Sequence, residues 1–279
     1  MGDKACAVPY NGEMNAHFAL SLAALVALVP APIHLLRRPG DRDGAFWLLL
    51  GVAVAGPLVV AIDRLWNGWL TNLSAALWAS IAASLVAYLI VCMVTRSGWR
   101  LTPLLLPYLL LFGIGAIFAD RLPSHPLNSL ASPSWLEVHI AFSIATYALL
   151  TIAAVAGLAV FVQEASLKRP RLGLLSARLP AIADAERLQI ALLTATAIVL
   201  GIGLVTGIVN QMQVSGQMLV FNHKTLLALL GFAVIVALLG VHFRTGLRGR
   251  RAARLALIAY LLVTLAYPGV KFVTDVLLS

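Results

Sequence analysis

Apolar runs of about 20 residues recur from end to end of this 279-residue chain, and they limit what it can fold into. A run of that length, wound as a helix, spans the roughly 30 Å hydrocarbon layer of a bilayer. Hydrophobic residues make up 61% of the chain and charged residues 11%, which leaves too little polar surface for a water-soluble domain of this size. The runs also lack the one-sided apolar stripes of soluble helices. The sequence therefore predicts an all-α, polytopic membrane protein.

Eight transmembrane helices are predicted, and no connection between them is long enough to hold a second folded domain. We therefore expect residues 1–279 to form a single integral membrane domain. The first span begins too far from Met1, and lacks the basic start and small-residue cleavage site, to be a removable signal peptide. The prolines of "LVPAPIHLL" (28–36) are expected to interrupt that span. The predicted spans are 17–36, 44–63, 73–95, 102–119, 136–163, 186–209, 223–243 and 253–277.

The distribution of lysine and arginine predicts the orientation of these helices. Fifteen of the 20 basic residues lie in the loops after the first, third, fifth and seventh spans. Cytoplasmic loops carry the excess of basic residues, so we expect both termini to lie outside the cytoplasm in the inner (plasma) membrane. Basic residues that flank spans face anionic lipid, and this accounts for the net charge of +9 without nucleic acid as a partner.

The predicted orientation places the six histidines at the ends of helices. None lies deep within a span, which argues against a proton relay through the middle of the membrane. The two cysteines, Cys6 and Cys92, belong to no CxxC or CxxCH arrangement, so covalent haem attachment and thiol relay are not expected. The predicted outer histidines are His17, His125, His139 and His223, and the predicted inner ones are His34 and His242.

His139 begins a polar stripe near the outer end of the fifth span. Positions four residues apart share a helix face, so His139, Ser143 and Tyr147 are expected to point into the bundle together. One interpretation is a helix-packing stripe held by hydrogen bonds. The other makes His139 a metal ligand whose second ring nitrogen is oriented by a neighbour.

A second outer histidine, His223, opens the seventh span, with Asn222 as a candidate N-cap. The preceding segment 210–221 alternates amide, methionine and aliphatic side chains and is expected to lie in the membrane interface as a partly apolar lid. Two external histidines on separate helices form a candidate pair of axial ligands for a haem iron, His139 and His223. The alternative is that His223 is an interfacial residue beside Lys224, which faces lipid phosphates.

The stretch "SHPLNSLASPSWLEVHIAFSIATYALL" (124–150) resembles the cytochrome c assembly family of haem-handling membrane proteins, the CcsA, CcmC and HemX type. His125-Pro126-Leu127 and Trp135-Leu136 precede His139 here as in that family. The resemblance continues through "LGIGLVTGIV" (200–209), "HKTLLALLGF" (223–232), "GLRGRRA" (246–252) and "LAYPGVKFV" (265–273). It is strongest over 124–279 and is closest to the stand-alone eight-helix branch of HemX- and YpjD-like proteins.

The resemblance implies that haem b is the cofactor and that His139 is an external axial ligand. It also implies a haem site within the membrane for His242, and we infer His34 as its partner. The chain departs from the synthetase members of the family at two places. The segment 210–225 has no tryptophan, where those members carry a Trp-rich motif. Tyr267-Pro268-Gly269 stands where they carry a second external histidine, so we expect haem handling rather than haem ligation chemistry.

The resulting prediction is a haem-binding membrane protein that acts as an accessory or regulatory factor in cytochrome c biogenesis or haem metabolism. Its expected partners are the lipid bilayer, haem, and cytochrome c maturation or other membrane assembly proteins. No nucleophile–base pair, phosphate-binding loop or metal-carboxylate cluster is visible, so we do not expect an enzyme. The alternatives are a membrane transporter and a non-haem assembly subunit that retains the fold. A cytochrome b-type subunit is disfavoured because its histidines would lie within the spans.

Overall fold

The structure is a computed structural model, and it describes residues 10–37, 42–66, 73–120, 133–168, 173–216, 223–246 and 249–269. Within these ranges the backbone is helical and contains no strand, so the predicted all-α class is confirmed. A 3₁₀ turn, Gly98–Leu101, leads into α5, and a π-helical turn, Leu265–Gly269, follows α10. The helices are α1 Tyr10–Ala27, α2 Pro30–Arg37, α3 Gly44–Trp66, α4 Leu73–Val94, α5 Thr102–Ala119, α6 Pro133–Lys168, α7 Gly173–Ser176, α8 Ile182–Ser215, α9 His223–Thr245 and α10 Arg250–Thr264.

Seven stretches in the described part of the chain are long and apolar enough to cross a membrane. They agree with the first seven predicted spans to within about four residues. The eighth predicted span begins within α10, and its part beyond residue 269 lies outside the described residues. The chain is therefore a multi-pass helical membrane bundle. The seven stretches are Ala16–Arg37, Gly44–Leu65, Leu73–Val94, Gly98–Ala119, Trp135–Leu167, Ile182–Gln213 and Thr225–Thr245.

The first span is broken where the prolines predicted a break. The N–H groups of Leu28 and Val29 bond to carbonyls only three residues back, which tightens the end of α1. Pro30 then begins α2, where its missing N–H leaves no helical hydrogen bond unmade. The two short helices α1 and α2 together form one membrane crossing.

The helix α6 is the central element of the bundle. It packs against α4, α8 and α10, while α1, α2, α3 and α5 complete the side of the bundle that carries α4. Over an 18-residue window of its membrane stretch, 72% of the residues are buried, against 22% for the window of α9, which lies at the periphery against α8 and α10. The buried residues of this stretch lie between Thr146 and Val160, so this part of α6 faces protein, whereas His139 lies nearer the partly exposed predicted outer end.

The antiparallel pair α6 and α8 forms the most extensive interface in the bundle. Small residues at this interface let the two backbones approach closely. A Cβ atom added at Gly157 of α6 would lie 2.9 Å from the side-chain nitrogen of Gln189 on α8. At the other end of the interface, Gly203 and Gly207 of α8 face α6.

Arginine side chains connect neighbouring helices at both ends of the bundle. At the predicted outer end, where α3 and α5 finish, Arg64 and Asp120 make a two-pronged pair with N–O distances of 2.5 and 2.8 Å. At the predicted inner end, Arg42 donates a 2.8 Å hydrogen bond to the Cys92 carbonyl oxygen near the end of α4. Cys92 itself is a fully buried free thiol, in agreement with a packing role.

Candidate functional site

The imidazole of His139 lies against the surface of α8 near the predicted outer end of α6. Its Nδ1 atom is 3.0 Å from the carbonyl oxygen of Gly203 and 3.4 Å from the hydroxyl oxygen of Thr206. The ring fits there because Gly207 has no side chain: an added Cβ would lie 2.9 Å from His139 Cε1. Gly203, Thr206 and Gly207 of α8 thus form the contact surface of this histidine, which we call its seat.

The contact with Gly203 fixes which nitrogen of His139 carries the proton. A carbonyl oxygen only accepts hydrogen bonds, so Nδ1 must be the protonated nitrogen. The Thr206 hydroxyl also donates to the Gly203 carbonyl, at 2.9 Å, and so does not compete as a donor to Nδ1. The remaining nitrogen, Nε2, holds a free lone pair and has no hydrogen-bond partner among the described residues. This is how a neutral histidine is prepared to bind a metal.

The three members of the predicted polar stripe have different partners. Ser143 donates to the carbonyl oxygen of His139 one turn earlier, at 2.8 Å, and does not orient the imidazole ring. Tyr147 is almost fully buried and its hydroxyl lies 2.9 Å from that of Tyr260 on α10. The stripe faces the bundle interior as expected, but the group that orients His139 comes from α8.

A cluster of tyrosines, Tyr108, Tyr147 and Tyr260, joins α5, α6 and α10 inside the bundle. The Tyr260 hydroxyl hydrogen-bonds to those of both other tyrosines, so the three form a chain. The ring of Phe112 packs against Tyr147 with a centroid distance of 6.2 Å. Polar groups within a bilayer need partners inside the protein, and the cluster supplies them while holding α6 in a fixed rotation. Only Tyr147 of this cluster was identified from the sequence.

The other outer candidates lie at the edge of the described structure. His223 is the first residue of α9, and α9 packs against α8, the helix that carries the seat of His139. Its side chain, and all of His125, lie outside what the structure describes, as does the candidate N-cap Asn222. The assignment of His139 and His223 as a ligand pair stays a prediction.

The inner candidates, His34 and His242, stand on helices that share no extended contact. His34 is on α2, which packs against α3 and α5, whereas His242 is near the end of α9, which packs against α8 and α10. The Nε2 atom of His34 lies 3.4 Å from a carboxylate oxygen of Asp43. The His242 ring packs edge-on against Phe243, with a centroid distance of 5.4 Å. Their roles as haem ligands stay predictions.

The donor set around His139 fits a porphyrin better than a bare metal ion. In the described part of the chain no three His, Cys, Asp or Glu side chains come together as a metal site. A haem iron needs only one or two ligands from the protein, because the porphyrin supplies the other four. One histidine with an oriented ring, on a face that includes Phe142, meets that requirement.

Comparisons with known proteins indicate the family of this chain. The sequence model of the family described as "Cytochrome C assembly protein" matches residues 46–278, and so reaches α3, well before the segment 124–279. A protein of Azospirillum brasilense, "Uncharacterized 28.8 kDa protein in nifR3-like 5'region", is 49% identical over 271 residues, covering 95% of this chain and 100% of the relative. The "Inner membrane protein YpjD" of Escherichia coli K12 is 25% identical over 207 residues, covering 74% of this chain and 76% of the relative.

Proposed function

The chain belongs to the cytochrome c assembly protein family, and from that premise we propose that it binds haem b through His139. It is a multi-pass protein of the inner membrane. In our proposal it acts as an accessory or regulatory factor in cytochrome c biogenesis or haem metabolism. Its partners would be cytochrome c maturation or other membrane assembly proteins that meet the outer ends of α6, α8 and α9.

The observation that carries the proposal is the hydrogen bond from His139 Nδ1 to the Gly203 carbonyl oxygen. A histidine kept only for packing needs this bond to pair its N–H group and gains nothing from an accessible lone pair on Nε2. A histidine ligand gains in two ways, because the bond orients the ring and increases the basicity of Nε2. When bound, haem would supply a redox-active iron and a large apolar surface that suits a membrane protein.

The second axial ligand in this proposal is His223. It begins α9, which lies beside α8, and it is predicted to stand at the same end of the bundle as His139. His125, in the loop before α6, is the competing ligand. His242 is proposed as a residue of a separate haem contact at the predicted inner end, and His34 is left out of it because its Nε2 atom faces Asp43.

The test is the visible spectrum of the full chain purified from haem-replete cells. We expect a Soret band, and we expect His139→Ala to lose most of it. The matched control is His17→Ala, since His17 is another predicted outer histidine but pairs through Nδ1 with Asp63 at 2.9 Å on the far side of the bundle. Thermal unfolding of each purified variant verifies that it is folded.

Two results would contradict the proposal. If haem occupancy is unchanged in His139→Ala, the residue is a packing residue and the hydrogen-bonded stripe is its whole role. If the wild-type chain binds no haem, neither as purified nor on titration, the non-haem assembly subunit becomes the better description of this family member.

A further inference from the structure

An open groove of about 730 Å³ lies at the predicted inner end of the first span, far from His139. Its walls are mostly aliphatic, and its rim carries one imidazole and one guanidinium. The groove exists because the chain breaks at Pro30 and because a small residue, Ala45, faces it from the start of α3. The lining residues are Val29, Pro30, Ile33, His34, Arg37 and Ala45.

Among the described residues that line the groove, one cation has no hydrogen bond or ion pair to another described residue. His34 is engaged through Nε2 by the carboxylate of Asp43, 3.4 Å away. Arg42 is directed to the end of α4, where its guanidinium bonds to the carbonyl oxygens of Cys92 and Thr95. Arg37, in contrast, makes no hydrogen bond or ion pair with any described residue, and it is the last residue of the first membrane stretch.

We propose that this groove is a binding site for an anionic phospholipid. One acyl chain would lie along the exposed aliphatic side chains of Val29 and Ile33, and the phosphate would pair with Arg37. A span end is the depth at which lipid phosphates lie, and a guanidinium binds phosphate with two parallel hydrogen bonds. A zwitterionic headgroup carries its own cation, which offsets the charge of its phosphate. An anionic headgroup has a net negative charge, so it suits the cationic rim better.

The same geometry disfavours haem as the occupant of this groove. The Nε2 atom of His34 faces the carboxylate of Asp43 and is not free to bind an iron. Among the described groups at the rim, the one without a partner is the cation Arg37, which recognises an anion and not a metal. The lipid site is independent of the haem proposal for His139, and either can fail without the other.

Native mass spectrometry of the full chain, extracted with an equal mixture of phosphatidylglycerol and phosphatidylcholine, tests the proposal. We expect wild-type protein to retain phosphatidylglycerol preferentially and Arg37→Gln to lower that preference about fivefold, which corresponds to about 1 kcal/mol for one basic contact. Ala45→Leu, which fills the groove, should lower retention of both lipids. Arg254→Gln is the matched control, because Arg254 is exposed at the same predicted end of the bundle but does not line this groove. Thermal unfolding verifies that each variant is folded.

Three outcomes would overturn the proposal. Equal losses in Arg37→Gln and Arg254→Gln would mean that only the general surface charge attracts the lipid. Displacement of phosphatidylglycerol by millimolar inorganic phosphate would mean that the rim binds a free anion and the groove adds nothing. A loss of haem absorbance in Ala45→Leu, with lipid retention unchanged, would assign the groove to haem.

Discussion

Replacing Gly207 by alanine tests whether the close contact between His139 and α8 positions the imidazole as a ligand. The new Cβ would lie 2.9 Å from His139 Cε1 and 3.3 Å from Nδ1, closer than non-bonded atoms approach. The imidazole is the mobile end of a side chain, so it would swing away from α8 rather than force the helices apart. The movement would break the hydrogen bond from Nδ1 to the Gly203 carbonyl oxygen.

The structure separates the effect on stability from the effect on haem. The lost hydrogen bond costs about 1 kcal/mol, and replacing glycine within a helix returns about 0.5–1 kcal/mol. The Gly203 carbonyl keeps its bond from Thr206, so no acceptor is left unpaired. We therefore expect the free energy of unfolding of the haem-free protein to change by less than about 1 kcal/mol. Losing the group that orients a metal-binding histidine costs about ten- to 100-fold in affinity.

Gly203→Ala is the control one turn away on the same face of α8. An added Cβ at Gly203 would lie 3.6 Å from the Cβ of Phe142, which is an ordinary contact, and the carbonyl oxygen that accepts from His139 remains in place. Haem titration of the haem-free protein, followed at the Soret band, measures the affinity. Tryptophan fluorescence during thermal unfolding measures the stability.

We expect the two variants to differ in haem affinity and not in stability. Gly207→Ala should bind haem at least tenfold more weakly with nearly unchanged stability, and Gly203→Ala should change neither property. If both variants bind haem like the wild-type protein, the bond to Gly203 does not position a ligand. If both lose stability in parallel with haem, Gly207 serves only the packing of α6 on α8.

Three further predictions follow from the charges and ligands. A reporter fused after Ser279 should be active only outside the cytoplasm; a cytoplasmic signal would reverse the inside–outside assignment of the histidines. His223→Ala should change the iron spin state more than haem occupancy, with added imidazole restoring the low-spin spectrum, whereas the same change in His125→Ala alone would assign the ligand to the loop. Asp120→Asn leaves the half-buried Arg64 without its carboxylate and should lower the free energy of unfolding by about 1–2 kcal/mol, and the double variant Arg64→Gln/Asp120→Asn should recover part of that loss; equal losses would contradict a paired role.

The positions of the membrane spans could be predicted from the sequence because they depend on local properties. The length of an apolar run and the polar residues that end it set a span without reference to any neighbour. The break in the first span was equally local, since Pro30 lacks a backbone N–H and stands at the first position of α2. The membrane stretch of α6 begins at Trp135 and that of α8 ends at Gln213, each within four residues of the prediction.

The contacts of the site could not be predicted in the same way. Spans that are apolar all round carry no stripe to indicate which face meets which neighbour. The stripe of His139 and Tyr147 gave the inward face of α6, but nothing in it indicated the Gly203 carbonyl oxygen as the orienting group or Tyr260 as the partner of Tyr147. The signal that was present is the pair Gly203 and Gly207, because two glycines one turn apart mark a place where another group comes close to the backbone.

The two ring nitrogens of His139 have opposite hydrogen-bonding roles, since Nδ1 donates and Nε2 accepts. Together they favour a metal ligand over a packing stripe. Nδ1 is satisfied by α8, which also fixes the lone pair on Nε2, and that lone pair finds no donor in the described structure. One turn beyond Thr206 on the same face of α8, the amide oxygen of Asn210 is buried and likewise finds no donor there. A buried acceptor without a partner costs about 1–3 kcal/mol, and a leucine at position 210 would avoid that cost. Two acceptors on one interface therefore suit a bound group that offers an electron-pair acceptor beside a hydrogen-bond donor, as an iron with a nearby protonated group would.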